Sequence, residues 1–533
     1  MYLKAQEGEE THYGQALFPV PSADPNDPLQ WPVYKKHMIL FICCLFSFLG
    51  ISALMGPATY IGPWSAEFGV DNNTAAGLIN YPNLVFGFGS LVLIPGYRKF
   101  GRRPTMLVSL VLYTAGLIWA SQATTYSGLM AARIVHGFGS GVCEALPVQL
   151  VNDIFFIHER GKKLGWYTIA LCLGATGPMF CGFMLAGGLS WHLFFYVEMA
   201  FALATLVLAF FFVEESSYRR KPSIVAGPPP ASPTTETSDG AVAVTQVETN
   251  TSKSEFRPKE YASEQVSSRS IPPRKTLLQQ LALYSKSAYV PEEPFFLMMA
   301  RCFTYLLVPS TLWVIATYGI YIVCGFAFNF VFPLKIVAPP YNWPQTTMGL
   351  FAISSFVGFG LALPFLPWSD RLAARLTKRN NGVREAEMRL GVMLPAMVIA
   401  PMGAILFGLT AQFDLHWMLY MVGIALTQWS GYFYFTITLA YAVDSYTANL
   451  SEMLMIMNIS KQAVSFGLTV EVLNWITKHG YAVVICGIFT AVLVVNNLMA
   501  VVFMIWGKKI RTATSRSWLA RMHAGTVIAG ESH

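Results

Sequence analysis

Four ionisable side chains, Arg133, Glu144, Glu198 and Lys461, stand inside stretches that are otherwise apolar. A charge at the centre of a bilayer costs roughly 2.5–3.5 kcal/mol on insertion scales, so such residues are candidates for ion pairing, proton handling or ligand contact. Arg133 and Glu144 are 11 positions apart, which on a helix is about 16 Å and within about 20° of three full turns. On a continuous helix they share a face with Gly137, Ser140 and Gly141, and a small, polar, charged face is one that lines a cavity. The same two glycines form a GxxxG pair, so close helix packing is a rival reading. The chemistry on offer is proton or cation binding at Glu144, tuned by Arg133.

Glu198 has two readings, a second protonation site or a partner for a cationic substrate. Lys461 is either its counter-charge or half of a structural pair, and Glu471 lies nearer the end of the same run. Asp153, nine residues beyond Glu144, falls about 180° around a helix from it and is expected to pair with a basic loop. His136, one turn from Arg133, is a proton relay or a packing histidine. Asn80, Tyr81, Asn83, Asn329, Gln428, Trp429, Tyr432 and Tyr434 are of the types that line an amphipathic cavity, although aromatic stripes more often pack or anchor. There is no GxxxxGK[ST] loop, no HExxH and no GxSxG, so any uphill work falls to an ion gradient. The eight cysteines form no CxxC pair and read as free thiols, with no metal site and no cofactor implied.

Positioning these residues is a matter of spanning helices. Of 533 residues 54% are hydrophobic, 12% are charged and 42 are glycine, an apolar share well above the roughly 45–50% of soluble domains. The class is integral membrane, which excludes a cytosolic enzyme, a disordered scaffold and a secreted disulfide module. The net charge of +7 sits in short loops and carries no basic-aromatic stripe for nucleic acid. A span needs about 20 apolar residues, and runs of that length fall near 37–58, 76–97, 104–121, 127–149, 163–185 and 192–213, then near 311–332, 346–367, 390–410, 416–440, 452–474 and 482–506. The fold class expected is all-α, with twelve transmembrane helices in two pseudo-symmetric six-helix bundles.

The first 36 residues have no signal-peptide pattern, which leaves the N-terminus cytosolic. On that basis Arg98, Lys99, Arg102, Arg103, Arg160, Lys162, Lys163, Arg371 and Lys508 fall in inner loops, and only Lys335 and Lys478 in outer ones, as the positive-inside rule requires. The stretch Phe295 to Leu307 reads as an interfacial helix, since a separate crossing would reverse that bias. Residues 219–275, with the string GPPPASPTTETSDG, read as a flexible linker. The organisation is thus a tail (1–36), a bundle (37–213), a linker (214–310), a second bundle (311–506) and a tail (507–533), with both tails cytosolic. Of the Asn-x-Ser/Thr sequons at Asn72, Asn250, Asn449 and Asn458, only Asn72 falls outside, making it the N-glycosylation candidate. Pro95–Lys99 and Pro367–Arg371 occupy matching places in the two halves, and repeated six-span halves are a transporter plan.

Several strings carry a resemblance to the major facilitator superfamily, specifically the fungal branch of the twelve-span drug:proton antiporter family. YRKFGRRP (97–104) resembles its loop motif, with Arg98 where the family has Asp, followed by Gly101, Arg102 and Arg103; Asp370-Arg371 keeps the acidic version in the second half. AARIVHGFGSG (131–141) resembles the motif whose arginine serves proton coupling. Gly174, Gly177, Pro178 and Gly182 resemble the fifth-span antiporter motif, with the first spacing one residue short. DPNDPLQWP (24–32), CEALPVQLVNDIFFIHERGKKLG (143–165) and YAVDSY (441–446), the last followed by Asn458, Lys461 and Trp475, are similar to the yeast histidinol, cation and polyamine transporter subgroup. The resemblance implies a plasma-membrane transporter in which Arg133 serves proton coupling, beside which Glu144, Glu198 and Lys461, read above as charges within spans, are the candidates for handling protons or substrate. It also implies gating roles for Arg98, Gly101, Arg102, Arg103, Asp153, Arg160, Gly177, Pro178, Asp370 and Arg371. The partners implied are a small-molecule substrate, protons and the lipid bilayer, by metabolite efflux or by uptake of organic cations such as polyamines. A non-transporting receptor would carry a long signalling domain, which the short tails do not resemble.

Overall fold

The computed structural model describes residues 11–12, 15–16, 24–218, 276–283, 295–344, 351–365, 368–380, 385–445 and 450–515. Apart from a two-residue antiparallel pairing of Thr11–His12 with Gln15–Ala16, the described chain is helical, because a spanning segment must satisfy its backbone internally. In the first half the helices are α1 (Val33–Met55), α2 (Asn72–Lys99), α3 (Arg102–Ser121), α4 (Tyr126–Ser140), α5 (Leu146–Ile154), α6 (Ile157–Gly174), α7 (Gly177–Ala186) and α8 (His192–Phe212). After α9 (Phe295–Cys302) come α10 (Pro309–Val337), α11 (Phe351–Ala362), α12 (Trp368–Arg379), α13 (Leu394–Phe413), α14 (Met418–Ser445), α15 (Leu450–Thr469), α16 (Val472–His479) and α17 (Thr490–Ser515).

Nine helices among the described residues are long and apolar enough to cross a membrane. The fourth, eighth and tenth runs expected from the sequence fall outside that set, for visible reasons. The fourth is split between α4 and α5, the eighth is described only from Phe351, and α14 carries Thr427, Gln428, Trp429 and Ser430 near its middle. Around the assembly Phe201, Val207, Phe211, Leu361, Val398, Val495 and Leu498 are exposed, the outward apolar surface that lipid covers.

Local chemistry sets the helix starts. The Asp71 carboxylate accepts from the Asn73 and Thr74 amides at 3.0 and 3.2 Å, capping α2, so Asn72 is an exposed first-turn residue. Gly101 opens α3 at φ +112°, a region that only glycine enters cheaply. Prolines begin α5, α7, α10 and α13, where the missing N–H would have no helical partner anyway.

Two apolar clusters hold the protein together, and each draws on both halves. One gathers Trp31, Phe46, Phe155, Trp313, Tyr441 and Phe503; the other gathers Trp64, Trp191, Phe195, Phe330, Phe407 and Tyr420. The halves also meet along α2 and α15. There Asn83 Nδ2 donates to Gln462 Oε1 at 2.8 Å and Thr469 Oγ1 to Asn80 Oδ1 at 3.2 Å, while the Tyr81 and Phe466 rings lie 5.2 Å apart. A Cβ on Gly87 would come within 3.0 Å of Ile459 Cα, so a glycine there permits the approach. The segment expected to be interfacial is α9 followed by a 3-10 turn over Phe303–Leu307; it packs against α2 and α15 and buries Met298 and Cys302.

Candidate functional site

Glu144 lies on a break rather than on a helix. α4 ends at Ser140, and the chain continues in tight turns, Cys143 N to Ser140 O (2.9 Å) and Ala145 N to Val142 O (3.1 Å), before α5 starts. The cause is Pro147, which has no N–H for the carbonyl of Cys143. That carbonyl accepts from Ser47 Oγ at 2.7 Å instead, and the Glu144 carbonyl accepts from Tyr167 Oη at 2.9 Å. The shared face of Arg133 and Glu144 expected from continuous helical geometry therefore does not exist. Nor do the glycines line a cavity: a Cβ on Gly137 would sit 2.7 Å from Pro82 O, and one on Gly141 2.7 Å from the Gly89 backbone. That face is packed against α2.

Across the seam, Lys461 of α15 donates to Glu144 Oε2. The Lys461 side chain is 6% exposed and that of Glu144 16%, and the ammonium also stands 5.5 Å above the Tyr318 ring of α10. An ion pair so placed is held by its mutual attraction against the cost of desolvating both groups. Of the two readings of Lys461, counter-charge of Glu198 or half of another pair, the first is corrected: its partner is Glu144, 317 positions away in sequence.

Arg133 is fully buried and turned to backbone, with Nε donating to Leu78 O, Nη1 to Ala53 O at 3.3 Å and Nη2 to Leu54 O at 3.1 Å. Its guanidinium lies 5.9 Å from the Trp64 ring and 5.8 Å from Phe195. It ties α4 to α1 and α2. Glu198 of α8 is buried too, accepting from Ser52 Oγ of α1 at 2.6 Å with Tyr113 Oη of α3 at 3.4 Å. No Lys or Arg of the described residues lies within ion-pair distance of it. His136 is buried beside Tyr113, ring centroids 6.1 Å apart and nearly perpendicular, and neither ring nitrogen finds a hydrogen-bond partner among the described residues.

At the end of the first half that carries the basic loop, Arg102 Nε donates to Asp153 Oδ2 at 3.1 Å, and Asp153 also accepts from Gln149 Nε2 (3.1 Å) and Ser216 Oγ (3.0 Å). Glu215 takes the amides of Arg102 and Arg103 at 3.0 and 3.2 Å. It supplies the cap that Gly101 lacks, with a carboxylate where the helix dipole favours one. Arg103 is buried and donates to the carbonyls of Val213, Phe210 (2.8 Å) and Leu281 (3.0 Å). Gly177 and Pro178 begin α7 after a break at Ala175–Thr176, and a Cβ on Gly177 would lie 2.9 Å from Ser52 O. Arg98 is half-buried at the end of α2 and Arg371 is exposed on α12. The side chains of Arg160 and Asp370, the segment 219–275 and the sequons at Asn250 and Asn449 lie outside the described residues.

Of the polar and aromatic residues expected to line a cavity, Tyr434 is fully buried and donates to Asn497 Oδ1 at 2.8 Å, and Gln428 accepts from Tyr321 Oη at 3.0 Å. These pack the second half. Ser52, Tyr113, Tyr167, Glu215 and Gln462 escaped sequence reasoning, because hydroxyl and amide partners carry no charge pattern and Glu215 lies just past a span. Pro147 was the one visible signal, since a proline inside an apolar run announces freed carbonyls.

The arrangement defines a helical, multi-pass membrane protein whose two halves face each other across charged and amide side chains. The chain belongs to the Major Facilitator Superfamily, whose family model matches residues 40–470. An uncharacterized MFS-type transporter of Schizosaccharomyces pombe is 23% identical over 94% of this chain and 89% of its own. Protein HOL1 of Saccharomyces cerevisiae is 22% identical over 96% and 92%, and the MFS-type transporter penM of Penicillium rubens 23% identical over 92% and 88%. Among solved structures, a POT family transporter in complex with 5-aminolevulinic acid superposes with TM-score 0.58 at 13% identity, covering 89% of this chain and 96% of that one. The xylose transporter XylE from E. coli, partially occluded and inward open, gives 0.55 at 11% identity over 88% and 98%. The protein is a membrane transporter of this class, not an enzyme.

Proposed function

We propose that the protein exports a small organic molecule by proton-coupled alternating access, its halves (37–213 and 311–506) rocking about a site at their seam. The observation that carries this reading is the Glu144–Lys461 pair, an ionic contact made between the halves and within reach of an aromatic ring. A cargo bearing a cationic group competes with Lys461 for Glu144, and one bearing an anionic group competes with Glu144 for Lys461. Either event removes a tie between the halves, which is how binding would be converted into movement. The absence of a nucleotide loop from the sequence supports an ion gradient as the energy source, and likeness to fungal MFS-type transporters supports the broader class.

The basic end with Arg102 and Lys508 is assigned to the cytosol by the positive-inside rule, with both termini there, Asn72 outside and the plasma membrane as the location. Glycosidase treatment of membranes tests the side on which Asn72 lies: a mobility shift abolished by Asn72→Gln is expected. A second reading, uptake of organic cations, is favoured by the carboxylate of Glu144 standing near Tyr318, since a carboxylate and an aromatic face both attract ammonium groups.

Mass spectrometry of medium and cell extracts from deletion and overexpression strains, at two external pH values, tests both readings. For an exporter, one compound accumulates inside deleted cells and falls in the medium, with a flux that depends on pH. Depletion of polyamines inside the deleted cells gives the uptake reading instead.

A further inference from the structure

Two carboxylates of the first half, Glu198 in the interior and Glu144 partly buried at the seam, have different partners. Glu144 has the Lys461 ammonium on Oε2. Glu198 has only neutral hydroxyls, Ser52 Oγ at 2.6 Å on Oε1 and Tyr113 Oη at 3.4 Å from Oε2. The single hydrogen of Tyr113 has a nearer acceptor, the carbonyl of Leu49 on α1 at 2.9 Å. With that hydrogen committed, Oε2 faces a phenolic lone pair. The contact is satisfied when Glu198 itself carries a hydrogen on Oε2 and donates it to Tyr113. Among the described residues, the titratable or charged groups around Glu198 and Tyr113 are Cys181 on α7, Arg133 and His136 on α4 and Cys143 just past its end, with Tyr60, just beyond α1, against Cys181. Arg133 spends its hydrogen bonds on three carbonyls.

We propose that Glu198 carries the transported proton, held as a neutral acid between Ser52 of α1 and Tyr113 of α3, and that Glu144 does not. The proposal rests on the proton-coupled reading above and names the site at which coupling occurs. When Glu198 loses its proton to water, the O–H bond electrons stay on Oε2, which becomes an acceptor. The Tyr113 hydroxyl then turns from the Leu49 carbonyl to Glu198. That exchange releases a tie between α3 and α1 and makes one between α3 and α8. Reprotonation from water reverses it. Because Ser52 and Leu49 lie on α1, which packs closely against α7 at Gly177, the proton state of Glu198 is read out as the hold of α3 on α1.

The test is infrared difference spectroscopy of the full chain in lipid nanodiscs, with hydrogen ions as the only ligand and the stretch of neutral carboxyl groups as the readout. A neutral-carboxyl band is expected in the wild type, missing in Glu198→Gln and unchanged in Glu144→Gln. Tyr113→Phe, which keeps the acid but removes its acceptor, moves the band to higher frequency and guards against a Glu198 variant that fails to fold. A band that survives Glu198→Gln, is lost in Glu144→Gln, or ignores Tyr113→Phe overturns the proposal. The strain comparison above separates it from the coupling reading. Flux that varies with external pH alongside a band untouched by Glu198→Gln removes Glu198 and leaves coupling standing. Flux identical at both pH values, with the band lost as expected, overturns the transported proton and leaves a structural acid.

Discussion

Glu144 and Glu198 are both acids of the first half, yet they belong to different regions. Glu144 stands at the seam, on a break in the chain, and its partner comes from the other half. Glu198 stands inside the first half, on an unbroken helix, with partners from α1 and α3. On the proposed function, the seam exchanges its partner for a cargo, because its tie runs between the two halves. The interior cannot be reached that way, and what it can exchange is a hydrogen. The difference teaches that charge alone does not mark a substrate site: the element that supplies the partner does.

The comparison is broken most directly at the seam. Removing one partner of a buried pair leaves an uncompensated charge, at about 3–5 kcal/mol, so Lys461→Ala should abolish transport and lower the melting temperature of the nanodisc protein by several degrees. The charge swap Glu144→Lys with Lys461→Glu should recover part of the melting temperature; no recovery would mean that the two residues do not act as a pair. Packing beneath the break comes next. Gly137→Ala puts a methyl group 2.7 Å from Pro82 O, an overpacking cost of about 1–3 kcal/mol, and should lower thermal stability in bound and free protein alike.

A smaller effect sharpens the role of the break. Tyr167→Phe removes the hydroxyl that satisfies the Glu144 carbonyl, about 1 kcal/mol, and should weaken the seam pair; a double-mutant cycle with Lys461→Ala measures that coupling. The smallest is a surface control. Glu385, hydrogen-bonded by Lys508, has its carboxyl held below the ordinary 4.5 by that bond, with lesser help from the charges of Lys508 and Arg511. A depressed folded-state value gives stability that is present above pH 4.5 and lost as pH falls through the lowered one. Lys508→Ala should therefore flatten the melting temperature slightly across that window, and a large change would show that this exposed pair does more than solvated pairs do.

Much of the helical framework was legible because bilayer thickness fixes run length, and the runs Ile39–Leu54 and Leu193–Phe212 announce themselves by composition. The candidate charges were legible for the same reason, since an apolar background exposes them. Their partners were not. Eleven residues from Arg133 to Glu144 looked like three turns because periodicity assumes an unbroken helix, and Pro147 withdraws the bond that assumption needs. Lys461 finds Glu144 across 317 positions, a distance over which no spacing rule operates. The hydroxyls of Ser52 and Tyr113 read as ordinary span residues until α1, α3 and α8 bring them to one carboxylate.

Arg103 has a consequence for how the chain is stitched. One guanidinium holds the carbonyls of Val213 and Leu281, the residues at which the polypeptide leaves the first half and comes back to it. Val213 and Leu281 are therefore pinned at one point of the first half, whatever the length of chain between them. Cutting the chain between them would leave the two resulting polypeptides still joined through the Arg103 side chain.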